Sequence, residues 1–276
     1  MTYCCGVLVR DGLVMIADTR TNAGLDNVAT FSKMHVWERK GDRVIVLMSA
    51  GNLATTQLTI SRLQRDADDP DAKRSLRTFS HLYEVAEYVG DTLVASQTKV
   101  SDDAQQSGVS VQATLILGGQ IAGERPGLYM VYPLGNCIAT SPETPYLQIG
   151  ESKYGKPILD RILRPDTTLE DAARCALVSL DSTIRSNLSV GLPVDMALIR
   201  AGDLKITQKM RLESDTPLYS EIHETWSRKL EAAVRSLPRF PWEPPMEKEE
   251  APSALPAMPP RRQPSRQDPG DAQGQQ

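Results

Sequence analysis

Apolar and polar residues alternate at the start of the chain in the pattern of a β-hairpin. Two apolar runs lie within the first twenty residues, and Asp11-Gly12 joins them. An Asp-Gly pair between two such runs is a strong hairpin signal. Because a hairpin brings its two open ends together, we expect Thr2 and Asp18 to be neighbours. A third apolar run begins directly after Lys33 and can bring its ammonium group to the same end of the sheet.

The rest of the chain predicts groups of strands that alternate with pairs of helices. Period-two alternation and β-branched runs predict the strands, and apolar spacings of three and four residues predict the helices. The predicted strands after the hairpin are 34–39, 43–49, 109–121, 127–132, 137–140, 146–150, 194–200 and 204–207, with the four between 109 and 150 as one set. The predicted helices are 53–65, 79–98, 156–163, 169–187 and 219–237. Two antiparallel sheets that face each other, with helices outside each, would bury these apolar faces in an α+β fold.

Three of these segments carry more specific signals. The polar segment 19–30 is predicted to be a loop, and a loop of this length inside a compact domain is often functional. The fourth helix has Thr168 as its N-cap and two acids in its first turn. The long second helix has one apolar face, formed by Leu82, Val85, Ala86, Val89, Leu93 and Val94. Tyr83 and Tyr88 lie away from this face, which favours a contact with another subunit.

The composition changes sharply near residue 237. Ten of the nineteen prolines of the chain lie beyond this point. Proline removes backbone donors and interrupts both helices and sheets. We therefore predict one domain over residues 1–236 and a Pro-rich disordered tail over residues 237–276. The alternative is that the tail is a recognition segment anchored by residues 239–242.

Composition and charge exclude several classes of function. The chain has 276 residues, of which 40% are hydrophobic, and a net charge of −4. This balance argues against a nucleic-acid partner. With no apolar run near the length of about 20 residues that spans a bilayer, and no signal-peptide pattern, we expect a cytoplasmic protein without a membrane partner. The four cysteines show no metal or redox spacing and are interpreted as buried thiols. The three histidines fall in separate elements, so no metal site or cofactor is predicted.

The first thirty-three residues carry the candidate chemistry. If Met1 is removed, Thr2 has a free α-amino group beside a carboxylate and an ammonium. A threonine hydroxyl is a poor nucleophile without a base. An α-amino group has an ordinary pKa of about 7.7–8.0, which suits a general base at neutral pH. This composition favours an N-terminal nucleophile site, whereas Thr2 taken alone would be read as the first residue of a strand.

Several spaced motifs resemble those of proteasome-type β subunits, and most closely those of the bacterial Anbu (ancestral β subunit) group. The motifs are Thr2-Tyr3-Cys4, residues 17–24, 31–35, 47–52, 148–157 and 185–191. The resemblance covers about residues 1–236. It implies the four-layer αββα sandwich of N-terminal-nucleophile hydrolases, and a chain that starts at Met-Thr without a propeptide.

The resemblance also implies a role for each candidate residue. Thr2 would be the nucleophile, Lys33 would lower the cost of deprotonating it, and Asp18 would hold Lys33 charged and oriented. Gly51 would supply the backbone N–H that stabilises an oxyanion. Ser189 matches the serine that contacts the amino group of the nucleophile.

Two motifs depart from the usual proteasome pattern. The common Arg-Asp-x-x-Ser-Gly reads Arg185-Ser186-Asn187-Leu188-Ser189-Val190, so that Ser186 replaces an acid. The common Gly-Ser-Gly reads Gly150-Glu151-Ser152. Both departures fit the Anbu group.

These observations predict a threonine-type peptidase or amidohydrolase that acts on a peptide or protein substrate. The alternatives are a ring- or filament-forming scaffold with little activity, and an amidase that acts on small amides. The resemblance implies self-association into a ring or a helical homo-oligomer, and an ATPase partner is left open. The intact mass separates an enzyme from a scaffold, because a chain that keeps Met1 has no free threonine amine.

Overall fold

The computed structural model describes residues 2–22, 28–104 and 110–243. The strands are β1 (Tyr3–Val9), β2 (Gly12–Asp18), β3 (Arg20–Asn22), β4 (Val28–Thr30), β5 (Met34–Arg39), β6 (Arg43–Gly51), β7 (Ala113–Ile121), β8 (Gly127–Val131), β9 (Cys137–Ala139), β10 (Tyr146–Gly150), β11 (Val194–Arg200) and β12 (Gln208–Leu212). The helices are α1 (Leu53–Asp68), α2 (Leu82–Ala104), α3 (Lys156–Ile162), α4 (Leu169–Ser186) and α5 (Pro217–Arg235).

Two five-stranded antiparallel sheets form the centre of an α+β, four-layer αββα sandwich. Strand alternation decides which side chains face which layer, because successive side chains point to opposite faces. In β2, Leu13 and Met15 belong to the core between the sheets, whereas Val14 and Ile16 pack with α3 and α4. The second sheet packs its other face on α1 and α2 through residues such as Leu47. Each sheet is therefore buried on both faces, which explains the nearly continuous apolar runs of β2 and β6.

The strand order places β10 in the first sheet, which corrects the prediction of a single set of strands over residues 109–150. The first sheet has the order β10-β1-β2-β11-β12, and the second has the order β5-β6-β7-β8-β9. In the first sheet Tyr3 lies opposite Gly150. The chain therefore crosses from one sheet to the other between β9 and β10, and β10 comes to lie beside the N-terminus.

Several predicted boundaries were wrong. Residues 19–30, predicted to be a loop, contain β3 and β4, which pair with each other, while residues 23–27 lie outside the described residues. The partner of β11 is β12 at residues 208–212 and not the predicted strand 204–207. The helix α2 continues to Ala104 through part of the predicted loop 101–108, and β7 begins only at Ala113.

The second helix buries a different set of side chains from the one that its periodicity predicts. Val94 is 39% exposed and does not lie in the core, whereas Tyr88 is only 5% exposed. The hydroxyl of Tyr88 donates a hydrogen bond of 2.6 Å to the carboxylate of Asp66 on α1. Tyr88 is therefore buried against a neighbouring helix and is not available to another subunit, whereas Tyr83 is exposed as predicted.

The chain divides into two compact units, Met1–Ala233 and Val234–Gln276. In the described part of the second unit, the rings of Phe240 and Trp242 stack with centroids 4.5 Å apart. Most of the predicted tail, residues 244–276, lies outside the described residues. No helix in the part of the chain that the structure describes combines the length and the apolar character needed to cross a membrane.

Candidate active site

The open end of the first hairpin brings Thr2 and Asp18 together, as the sequence predicts. Cys4 lies opposite Ala17 in the β1–β2 register. The backbone N–H of Tyr3 donates a hydrogen bond of 2.9 Å to Asp18 Oδ1. The carboxylate thus binds the peptide group that directly follows Thr2, and this contact fixes the position of the N-terminus relative to Asp18.

Lys33 reaches the same point from the residue that precedes β5. Its Nζ lies 2.6 Å from Asp18 Oδ1 and donates a second hydrogen bond of 2.6 Å to the carbonyl oxygen of Arg20. The Asp18 side chain is completely buried, and only 8% of the Lys33 side chain is exposed. Two charges removed from water in this way require each other, because a single buried charge is strongly unfavourable.

Burial raises the pKa of Asp18 above its ordinary value. The nearby charge of Lys33 and its hydrogen bond oppose this rise, as does the N–H of Tyr3. Asp18 Oδ2 is buried and makes no hydrogen bond within the usual distance and angle limits among the described residues, while the backbone N–H of Gly191 also lowers the pKa of the carboxyl. The negative charge of Asp18 is therefore held mainly by Lys33.

Thr2, Lys33 and Gly51 line one cleft of about 420 Å³. The other lining residues in the described chain are Thr21, Phe31, Ser32, His35, Ser49, Ala50, Leu53, Thr56, Gln57, Ile60 and Ser61. Burial lowers the pKa of His35, which favours its neutral form at neutral pH. Thr2, Lys33 and Gly51 therefore border one space that is large enough for part of a substrate.

Gly51 ends β6 in a conformation that other residues rarely adopt. Its φ is +117°, and a Cβ atom would lie 2.5 Å from the carbonyl oxygen of Gln112. Asn52 follows as the N-cap of α1, and its side chain accepts a hydrogen bond from Thr55 N. The predicted change from strand to helix at Gly51 is confirmed, and the glycine allows the end of β6 to pack closely against the backbone before β7.

Gly150 lies in close contact with the backbone of Thr2. Its φ is +85°, and a Cβ atom would lie 1.9 Å from the carbonyl oxygen of Thr2. The next residue, Glu151, donates its backbone N–H to this same carbonyl at 2.7 Å. The end of β10 therefore holds the backbone of Thr2 from the side opposite Asp18.

Ser189 lies outside the residues that line the cleft in the described chain. It follows the end of α4, and its backbone N–H donates a hydrogen bond of 2.9 Å to Asn187 Oδ1. A contact between Ser189 and the amino group of Thr2 stays a prediction, because Met1 is not among the described residues.

Sequence reasoning missed a contact between the two motifs that depart from the proteasome pattern. Asn187 Nδ2 donates a hydrogen bond of 3.0 Å to Glu151 Oε2. Glu151 is only 5% exposed. The acid in place of the common serine was the available signal, but its partner lies 36 residues away.

The other acids near the site have structural partners. Asp181 is buried in α4 and accepts hydrogen bonds from Tyr219 and His223 of α5, both of 2.8 Å. Asp195 lies within β11 and accepts a hydrogen bond of 3.0 Å from the Ser32 hydroxyl. Neither acid lines the cleft of Thr2 within the described residues.

The cysteines do not supply a competing nucleophile. Burial raises the pKa of Cys4 and of Cys5 well above the ordinary thiol range, so both stay protonated. Cys175 is also buried, whereas Cys137 is half-buried, which corrects the prediction that all four thiols are buried. Among the described residues there is no group of three or more His, Cys, Asp or Glu that could hold a metal ion.

Comparisons with known proteins agree with this geometry. The protein-family model described as Proteasome subunit matches residues 2–199. Proteasome subunit beta 1 of Pyrobaculum calidifontis is 28% identical over 206 residues, which are 74% of this chain and 92% of the relative. A solved structure of Anbu (ancestral beta-subunit) from Yersinia bercovieri is 43% identical, with a TM-score of 0.81, and the match covers 86% of this chain and 99% of that one.

A further solved structure is described as a helical assembly of the Anbu complex from Pseudomonas aeruginosa. It is 43% identical, with a TM-score of 0.82, and the match covers 87% of this chain and 98% of that one. The family match over residues 2–199 includes every described residue that lines the cleft.

Proposed function

Because this chain belongs to the proteasome subunit family, and within it to the Anbu group, we propose that it is an N-terminal threonine peptidase or amidohydrolase. The family supports a hydrolase with the N-terminal-nucleophile fold in general. The proposal is that Thr2 is the nucleophile once Met1 has been removed, and that the substrate is a peptide or protein.

One observation carries the proposal. Lys33 and Thr2 line the same cleft, and Lys33 is held by the buried carboxylate of Asp18, which also binds the Tyr3 N–H next to Thr2. The removal of two charges from water is unfavourable, and the attraction between them offsets it only when their geometry is excellent. Its position against the first peptide group of the chain supports a role in activating that terminus.

The first half of the reaction forms an ester. The α-amino group of Thr2 accepts the proton of the Thr2 hydroxyl as Oγ attacks the carbonyl carbon of the substrate. The backbone N–H of Gly51 stabilises the resulting oxyanion. The protonated amine then gives its proton to the leaving nitrogen, the C–N bond breaks, and the first product leaves as an amine.

The second half of the reaction hydrolyses this ester. The amine, now neutral again, accepts a proton from water as the water oxygen attacks the ester carbonyl. The tetrahedral species collapses, Oγ of Thr2 takes back the proton, and the acid product leaves. Lys33 stays charged throughout, and its field favours the deprotonated hydroxyl and the neutral amine at Thr2.

An electrophilic threonine-protease probe tests the nucleophile. The probe should label Thr2 in protein whose intact mass shows that Met1 has been removed, and Thr2→Ala should abolish labelling. Thr98→Ala is a matched control, because Thr98 is an exposed residue of α2 whose hydroxyl bonds only the preceding turn. Labelling that persists in Thr2→Ala would refute the assignment. Absent labelling of the processed wild-type chain would favour the scaffold alternative.

Self-association is the second part of the proposed function. The similar Pseudomonas aeruginosa protein is described as a helical assembly, and subunits arranged head to tail produce either rings or helices, according to the rotation per step. We therefore expect this chain to form a homo-oligomer in one of these two forms. An assembly of this kind would confine the cleft and protect native proteins from cleavage.

A further inference from the structure

We propose that Glu151 and Asn187 are positioning residues for the N-terminal nucleophile. Their hydrogen-bonded pair would take over the orienting role of the acid that Ser186 replaces in the common motif. The inference rests on the proposed function of Thr2. It concerns how the amine of Thr2 is held in this chain, rather than which residue reacts.

Glu151 contacts the Thr2 segment directly through its backbone. Its N–H donates a hydrogen bond of 2.7 Å to the carbonyl oxygen of Thr2. Gly150 lies in contact with the same carbonyl and has a positive φ that fixes the direction of the chain at this point. Any displacement of Glu151 would therefore be transmitted to Thr2 over a single hydrogen bond.

The side chain of Glu151 is anchored at both of its oxygens. Oε1 accepts a hydrogen bond of 3.1 Å from Lys153 N, and Oε2 accepts one of 3.0 Å from Asn187 Nδ2. The residue is 5% exposed. A buried carboxylate with two fixed donors is rigid, because the loss of either donor would leave an oxygen without a partner.

Asn187 connects this carboxylate to the segment that carries Ser189. Its Oδ1 accepts the N–H of Ser189 at 2.9 Å, while its Nδ2 binds Glu151. Its amide group accepts at the oxygen and donates at the nitrogen, so that one side chain binds both partners at once. Asn187 is also the C-cap of α4, so the pair joins the end of this helix to the end of β10.

Arg20 holds the same segment from its other side. One guanidinium nitrogen donates a hydrogen bond of 3.0 Å to the carbonyl oxygen of Leu188. The Arg20 carbonyl accepts a hydrogen bond from Lys33. The segment from Asn187 to Gly191 is therefore fixed between the Glu151 side and the Lys33 side of the nucleophile, with Ser189 in its centre.

An exchange of the two side chains tests this arrangement. In Asn187→Asp, two carboxylates would face each other. In Glu151→Gln, either the backbone N–H of Lys153 or the Nδ2 group of Asn187 would face the new side-chain NH₂ group, so that two donors would meet. The double variant Glu151→Gln/Asn187→Asp restores every hydrogen bond, because the new amide donates to the new carboxylate. It also keeps one negative charge in the pair.

The first measurement is the rate constant of Thr2 acylation by a saturating electrophilic probe, as a function of pH. Each single variant should lose about ten- to a hundred-fold in this rate constant, with little change in probe affinity. The double variant should recover to within about three-fold of wild type. Glu124→Gln is the matched control, because Glu124 also binds a backbone N–H, that of Leu82, in a place remote from the cleft.

A second measurement does not depend on hydrolysis. The pKa of the Thr2 α-amino group, measured by NMR titration of Met1-processed protein, should shift in each single variant and return in the double variant. Failure of the probe to label wild type would refute the proposed function, while this titration would still decide the positioning role. Single variants with a wild-type acylation rate and amine pKa, even if they melt at a lower temperature, would overturn the inference.

Discussion

The ion pair between Lys33 and Asp18 is the central feature of the candidate site at the scale of single residues. Its oxygen and nitrogen atoms lie 2.6 Å apart in a site that is almost closed to solvent. Such a pair contributes little net stability relative to apolar residues, but the removal of one partner leaves the other charge buried and alone.

Lys33→Met should lower the free energy of unfolding by about 3–5 kcal/mol at pH 8, since Asp18 loses its counter-ion. The pKa of Asp18 is already raised by burial and should rise further. The folded variant then binds a proton more tightly than the unfolded chain. Its stability should therefore increase as the pH falls through the folded-state pKa, until the pH is below the unfolded value of about 3.9.

Urea denaturation at pH 8 and pH 5 measures this effect. The double variant Lys33→Met/Asp18→Asn is the control, because it has no buried carboxylate and should lack the added pH dependence. A Lys33→Met variant as stable as wild type at pH 8 would contradict a buried, interdependent pair.

The same residues should differ in their effect on reactivity. Lys33→Ala should slow labelling of Thr2 more than Asp18→Asn does, because it removes the positive charge nearest to the nucleophile. We expect a loss of about a hundred-fold or more for Lys33→Ala, in line with the loss of one well-placed electrostatic group. Probe kinetics on both variants give the order, and wild-type rates in Lys33→Ala would place the reactive site elsewhere.

Two turns at strand ends determine the access to Thr2 at the scale of elements. The end of β6 forms one wall of the cleft at Gly51, and the end of β10 supports the backbone of Thr2 at Gly150. Both glycines have a positive φ and a neighbouring backbone atom closer than any side chain would allow. The open end of the first hairpin thus contacts the end of β10 in its own sheet and borders the cleft that the end of β6 lines in the other sheet.

Gly150→Ala should displace Thr2 and reduce probe labelling by about ten-fold or more, since a small misplacement of a reacting group is costly. Gly123→Ala is a matched control, because Gly123 has a φ of +86° but open space around the site of a Cβ atom. Both variants should lose about 1–2 kcal/mol of stability from the left-handed conformation. Labelling rates normalised to folded protein should fall only for Gly150→Ala, and an equal effect of both would show that strain alone is responsible.

At the scale of the whole molecule, we expect assembly to control how a substrate reaches the cleft. Light scattering after gel filtration should give a mass several times the 30.4 kDa of one chain, because a similar Anbu protein is described as a helical assembly. The measurement should use micromolar protein at moderate salt. On dilution, the electrophilic probe should still label Thr2. A mass equal to that of one chain would leave a monomeric amidohydrolase.

Local sequence patterns determined most elements and the centre of the candidate site. The Asp11-Gly12 turn predicts the hairpin, and the hairpin alone brings Thr2 close to Asp18. Thr168 marks the start of α4, and its side chain accepts the N–H of Asp171. These features depend on residues close in sequence, for which turn chemistry and periodicity decide the conformation without help from the rest of the chain.

Tertiary structure alone decided which distant segments meet. The sequence of β10 does not specify that it pairs with β1, and the contact of Glu151 with Asn187 spans 36 residues. Tyr88 appeared free on its helix but is buried because α1 lies against that side. Strand pairing and the burial of a helix face depend on the partner surface as much as on the segment itself. For that reason the sequence predicts Thr2 as the candidate nucleophile, while only the fold gives the contacts of distant segments around it.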